Sequence, residues 1–140
     1  MNIYLDASVL VPMQVQEEKT EAVRRLTTKA DGAISVSTLA AGEFTSAISW
    51  HVRMKILTEE DANRRLGFFD IWLTSTSTIA LDNADIRRAS SIVRCFDLKL
   101  MMPDAIHVAL CERHVLALAT LDERLAEAAR GLGVEVVVPE

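Results

Sequence analysis

An α/β fold built on a parallel sheet is what this sequence predicts, and two observations carry that prediction. Short β-branched runs alternate with longer segments of helical period along the chain, the pattern left by repeated βαβ units. Half of the 140 residues are apolar, so a single domain spanning 1–140 can bury a sizeable core. No linker, internal repeat or low-complexity segment interrupts it.

The first candidate strand is Ile-Tyr-Leu at 3–5, which stops on a carboxylate at Asp6. Thr20–Lys29 carries Ala22, Val23 and Leu26 on one face and predicts a helix that ends before an Asp31-Gly32 turn. Ala-Ile-Ser-Val at 33–36 is the second strand. From about Thr38 to Lys55 apolar residues cover a broad arc, and Thr58, with Asp61 three residues later, opens another helix bearing Ala62, Leu66, Phe69 and Trp72. These two form a helical hairpin. Thr-Ile-Ala-Leu at 78–81 is the third strand, and Asp82 or Asn83 caps a helix running to about Phe96. Pro103 suits the first turn of the next helix, to about Arg113. Val-Leu-Ala-Leu-Ala at 115–119 and Val-Glu-Val-Val-Val at 134–138 are the last two strands. Between them Asp122 caps a helix over Glu123–Arg130, which Gly131 and Gly133 end.

A formal charge of -5 and a pI near 5.2 leave no global basic footprint. Any contact with nucleic acid therefore runs through a local patch or through bound cations. Cys95 and Cys111 are too far apart for a Cys-x-x-Cys pair and lie in segments that read as helical and buried, so both are expected as reduced core residues. The start Met-Asn-Ile-Tyr-Leu has no basic region followed by a long apolar one, and charges break every apolar run short of membrane-spanning length. A soluble cytoplasmic protein with no membrane partner is the expectation.

Four carboxylates interrupt apolar surroundings. Asp6 follows the first strand and Asp122 the fourth, and in open parallel sheets functional groups collect at the carboxyl ends of the strands. Glu43 falls inside the apolar arc made by Leu39, Ala40, Phe44, Ala47 and Trp50, where a carboxylate is costly without compensation. Asp104 sits in the first turn of a helix whose following residues are almost all apolar. Taken singly, Asp122 reads as an N-cap, Asp104 as a partner of the helix dipole and Asp6 as a turn residue. Together and without a counterion they would repel one another and raise one another's pKa. A divalent cation such as Mg²⁺ or Mn²⁺ resolves that, because it takes oxygen ligands and completes its shell with water. Such a site suits phosphodiester hydrolysis and lets an acidic protein hold a polyanion at its most acidic spot. Ser8 and Thr120, each two residues from an aspartate, are candidates to orient carboxylates or water, or to bond the local backbone.

Leu-Asp-Ala-Ser at 5–8, the glutamate of Ala-Gly-Glu-Phe-Thr-Ser-Ala-Ile at 41–48, Pro-Asp-Ala-Ile-His-Val-Ala-Leu at 103–110 and the stretch from Thr120 to Val137 stand in an order and spacing that cover essentially the whole chain. On these motifs the sequence resembles the PIN-domain ribonucleases, and within them the VapC-like toxins of bacterial toxin-antitoxin pairs. The resemblance implies a three-layer α/β/α fold with a five-stranded parallel sheet and endonucleolytic cleavage of RNA dependent on Mg²⁺ or Mn²⁺. It also implies inhibition by a cognate antitoxin, homodimerisation, and contact with operator DNA only through the antitoxin complex. It maps the acidic metal-binding and catalytic residues onto Asp6, Glu43, Asp104 and Asp122, with Ser8 and Thr120 in support.

His107 lies one turn from Asp104 and could touch a substrate phosphate or a metal-bound water, though a structural role is the stronger expectation. His51 and His114 read as surface residues near helix ends. Arg24, Arg25, Arg53, Lys55, Arg64 and Arg65 are candidates for an RNA groove, against the simpler reading of solvated helix faces. Trp50 and Phe44 could stack on bases or receive an apolar segment of an antitoxin, with core packing the commoner use. Two other functions compete: a catalytically degenerate PIN-like interaction module, and a haloacid-dehalogenase-like phosphatase, which needs a second aspartate where Ser8 stands.

Overall fold

The computed structural model describes residues 2–30 and 33–140, so the expected Asp31-Gly32 turn lies outside the described residues. The chain runs β1 (Ile3–Leu5), α1 (Ala7–Gln14), α2 (Thr20–Ala30), β2 (Ile34–Ser37), α3 (Thr38–Arg53), α4 (Glu59–Leu73) and β3 (Ser77–Ile79). It continues through α5 (Asn83–Val93), a 3₁₀ turn at Phe96–Leu98, α6 (Met102–His114), β4 (Ala117–Ala119), α7 (Glu123–Gly131) and β5 (Val136–Val137). The strands form one parallel sheet in the order β3-β2-β1-β4-β5. β1 is thus central, with Tyr4 opposite Ser35 of β2 and opposite Leu118 of β4.

Alternation along the strands divides the core into two layers. Ile3, Leu5, Val36, Ala117 and Ala119 join Val9, Leu10, Ala40, Phe44, Ala62 and Phe69 of α1, α3 and α4. Tyr4, Ile79 and Leu118 point the other way, to Ala89, Ile92, Ala105, Val108, Leu110, Leu125 and Ala128 of α5, α6 and α7. This is the three-layer α/β/α arrangement. Because both faces of the sheet are covered, β1 and β4 read as unbroken apolar runs.

Local chemistry sets the helix starts. Ser37 caps α3 by accepting from the Ala40 N–H at 2.9 Å, and Thr58 caps α4 by accepting from Asp61. Asp82, rather than Asn83, caps α5 in a reciprocal box with Asp85. Pro103 opens α6 as expected, and the expected helical hairpin is α3 with α4.

Three departures from the sequence reading have physical causes. Helix α1 is not foreseen: Asp6 leads straight from β1 into it, and with Val9, Leu10 and Pro12 all buried it has no polar face to reveal a helical period. The helix expected to reach Phe96 stops at Val93, and the chain turns through the 3₁₀ segment to Lys99, whose φ of 58° is left-handed. That exposes Cys95, which is therefore not a core residue, whereas Cys111 is buried as expected. The strand expected from Val115 begins at Ala117, because Val115 is the left-handed C-cap of α6 and is solvent-exposed.

Candidate active site

The parallel pairing of β1 with β4, Leu5 beside Ala119, brings Asp6 and Thr120 out side by side at the carboxyl edge of the sheet. Asp6 is only 4% exposed. Its Oδ1 accepts from the Ser8 hydroxyl at 2.5 Å and its Oδ2 from the Thr120 hydroxyl at 2.6 Å. Each hydroxyl in turn accepts a backbone N–H, Leu121 to Ser8 at 2.9 Å and Asp122 to Thr120 at 3.0 Å. The two candidate support residues therefore orient Asp6 directly and tie it to the loop after β4. Burial pushes the Asp6 carboxyl above the ordinary aspartate value, while the Ser8 and Thr120 hydrogen bonds, with His107 nearby, oppose the rise.

Glu43, on α3 after β2, is partly exposed, and its Oε1 lies 2.6 Å from His107 Nε2. His107 itself is buried, with Nδ1 2.6 Å from the Tyr4 hydroxyl. The structural role expected for His107 holds, but its partner is the candidate ligand Glu43, a link across 64 residues that no local pattern announces. Asp104 sits in the first turn of α6, which leads down to the amino end of β4, so its own N-terminus lies at the carboxyl edge. Burial raises the Asp104 carboxyl, and Asp122 and Glu43 raise it further by repulsion. Asp122 is exposed and caps α7, its Oδ1 accepting from the Leu125 N–H at 3.1 Å.

All four acids are therefore within electrostatic reach of one another or of His107. The charged groups that act most strongly on Asp6 and Asp104 are His107, Asp122 and Glu43. Among the described residues, no three His, Cys, Asp or Glu side chains close on a single point as a ready-made metal cage. Oxygen-only donors with surplus negative charge fit a hard divalent ion that keeps several waters and takes one or two carboxylates directly.

Four of the six basic residues proposed for a groove are engaged by other groups of the chain. Arg24 pairs with Glu21, Arg64 with Asp61, and Arg25 and Arg65 donate to the Glu140 and Gln14 carbonyls. Phe44 is core, stacked on Phe69 with ring centroids 4.1 Å apart, whereas Trp50 leaves the apolar arc and is exposed. His114 is exposed at the end of α6, and His51 is half-buried in the last turn of α3.

The PIN domain family model matches residues 3–131. A curated relative, ribonuclease VapC46 of Mycobacterium tuberculosis, is 29% identical over 140 residues, covering 98% of this chain and 97% of the relative. The fold is similar to that of a chain in a toxin-antitoxin complex from Klebsiella pneumoniae, with a TM-score of 0.73 at 16% identity over 99% of this chain and 98% of that one. It is similar also to DNA-bound VapBC from Salmonella typhimurium, with a TM-score of 0.74 at 13% identity over 99% and 98%. With a family match that runs from β1 to the end of α7 and an acidic edge built on the central strand, this chain belongs to the PIN-domain family.

Proposed function

We propose that this protein is a divalent-metal-dependent endoribonuclease, the toxin of a toxin-antitoxin pair, with residues 1–140 forming one nuclease domain that acts in the cytoplasm. The observation that carries the reading is Asp6: a buried carboxylate at the end of the central strand, held on both oxygens by hydroxyls, with His107 in electrostatic reach of Asp6, Asp104 and Glu43 alike. The name of the 29% identical relative supports RNA as the substrate. The fold shared with chains of a toxin-antitoxin complex and a DNA-bound VapBC supports an antitoxin partner, and operator DNA through that complex. Exposed Trp50, Met54, Ile56, Phe68 and Ile71 of the α3–α4 hairpin offer apolar surface for such a partner or for a homodimer.

Asp6, Glu43 and Asp104 would hold Mg²⁺ or Mn²⁺, with Asp122 completing a second position or holding water. A bound divalent ion supplies the water activation and the charge neutralisation that phosphodiester hydrolysis requires. Ser8 and Thr120 keep the Asp6 oxygens oriented, and none of the four acids needs to act as a covalent nucleophile. The Ser8 hydroxyl on Asp6 Oδ1 is also a poor match to a phosphatase that relies on a second aspartate there.

The lack of a closed three-residue cage among the described residues favours one competing reading, a degenerate interaction module. Calorimetry separates the two, since the nuclease binds Mg²⁺ or Mn²⁺ and the degenerate module does not. Sequencing RNA ends after induced expression then identifies the target, with Asp6→Asn and Asp104→Asn as controls. Both variants are expected to fold, to leave RNA intact and to permit growth; undiminished cleavage by a well-folded Asp6→Asn protein overturns the assignment.

A further inference from the structure

In the layer between the sheet and α5–α7, three buried polar side chains form one line. Ser37, Tyr4 and His107 are each 2% exposed or less. Tyr4 Oη lies 2.6 Å from Ser37 Oγ and 2.6 Å from His107 Nδ1, and His107 Nε2 reaches Glu43 Oε1 at 2.6 Å. Buried polar groups are costly unless fully paired, and apolar side chains would fill the same space. The line ends at Glu43, its one member open to solvent.

Donor accounting gives the line a direction. Ser37 Oγ accepts the Ala40 N–H as the cap of α3, and with the single proton of Tyr4 directed at a neutral His107 ring the Ser37 hydroxyl donates to the Tyr4 oxygen. Tyr4 stays a phenol, its pKa raised chiefly by burial, and gives its proton to His107 Nδ1. His107 then carries its proton on Nε2 and donates it to Glu43. The opposite tautomer of the neutral ring would set two acceptors face to face at 2.6 Å.

We infer that the buried relay Ser37–Tyr4–His107 fixes the His107 tautomer and through it holds Glu43 Oε1, leaving Oε2 free for the cation. Tyr4, Ser37 and His107 are then positioning residues for the metal site. The inference rests on the nuclease reading. Groups that orient a metal ligand through its hydrogen bonds are worth roughly 10–100-fold in affinity or activity.

The test uses the full chain and Mn²⁺ alone, titrated by electron paramagnetic resonance, with ¹⁵N shifts of the His107 ring recorded alongside. In the wild type the ring shifts are expected to show a proton on Nε2 and none on Nδ1. Tyr4→Phe is expected to release the tautomer into a mixture and to weaken Mn²⁺ binding by roughly tenfold or more. A folded Tyr4→Phe protein with wild-type ring shifts or Mn²⁺ affinity overturns the relay. His107→Gln, which keeps an N–H donor, is expected to bind Mn²⁺ more tightly than His107→Leu, and equal affinities overturn the relay independently if Tyr4→Phe does not fold. A wild-type protein that binds no Mn²⁺ overturns the relay and the nuclease reading together, whereas wild-type binding with indifferent variants overturns the relay alone.

Discussion

Thr120 carries more of the site than its neighbour Ser8, because it is fully buried and Ser8 is not. Thr120→Val removes the donor to Asp6 Oδ2 and the acceptor for the Asp122 N–H, leaving a buried carboxylate oxygen unpaired. Loss of such bonds to a charged group costs about 1–3 kcal/mol. RNA cleavage should fall about 10–100-fold, the usual effect of removing a group that orients a ligand. Urea unfolding reads the first effect and a cleavage time course the second; wild-type cleavage by Thr120→Val would show that Asp6 needs no orienting hydroxyl. At this scale the sequence is legible where contacts are local. Asp6 and Ser8 are two residues apart, as are Thr120 and Asp122, and their roles are readable from that spacing. Tyr4 and Ser37 give no such signal, since an isolated tyrosine in a strand and a serine before a helix are ordinary core and cap residues. Their function depends on His107, 103 residues beyond Tyr4.

Between elements, α5 is joined to α6 by two ion pairs, Arg88 with Glu112 at the surface and Asp85 with Arg113 further in. The Arg113 guanidinium grips both Asp85 carboxylate oxygens at 2.7 Å, and Asp85 also accepts the Asp82 N–H at 2.9 Å. Asp85 is buried, and Arg113 holds its carboxyl below the ordinary aspartate value. Asp85→Ala removes a cap and leaves the guanidinium without its partner, at an expected cost of about 1–3 kcal/mol. Because the folded-state pKa is depressed, the pair contributes its full stability above the unfolded-state value. That contribution fades as pH falls through the folded value. The stability gap between wild type and Asp85→Asn, measured by denaturant at pH 7 and again in the acid range, should therefore narrow on acidification. An unchanged gap at both pH values would place no ion-pair energy in Asp85. A cap at Asp82 or Asn83 is readable in sequence, but the tie from Asp85 to Arg113 is not, because 28 residues and a change of helix separate the two. Helix α1 escapes the sequence for a different reason. A helix buried on most of its surface has no polar stripe, and Pro12 inside it argues locally against helix.

At the scale of the whole molecule, the two core layers make burial, not residue type, the guide to stability. Phe68 and Phe69 are adjacent on α4, yet Phe69 is 2% exposed and stacks on Phe44 while Phe68 is 57% exposed. Phe69→Ala should cost about 3–5 kcal/mol by opening a cavity in the layer under α3. Phe68→Ala should shift stability by no more than about 0.5 kcal/mol, as is usual at a surface position. Thermal and denaturant unfolding of the pair check this, and comparable losses would mean that the α3–α4 hairpin packs otherwise. Among the described residues no helix is long and apolar enough to cross a membrane. The sequence by itself determined the five strands and their parallel α/β arrangement, and it singled out Asp6, Glu43, Asp104 and Asp122 as the candidate acids, because period, caps and misplaced charge are local signals. Only the tertiary structure decided which donors hold those acids. Ser8 and Thr120 share Asp6, His107 takes Glu43, and Tyr4 with Ser37 stands behind His107. Those pairings rest on strand order and register, which bring distant stretches within a hydrogen bond, and no periodicity along one chain records which strand lies beside which.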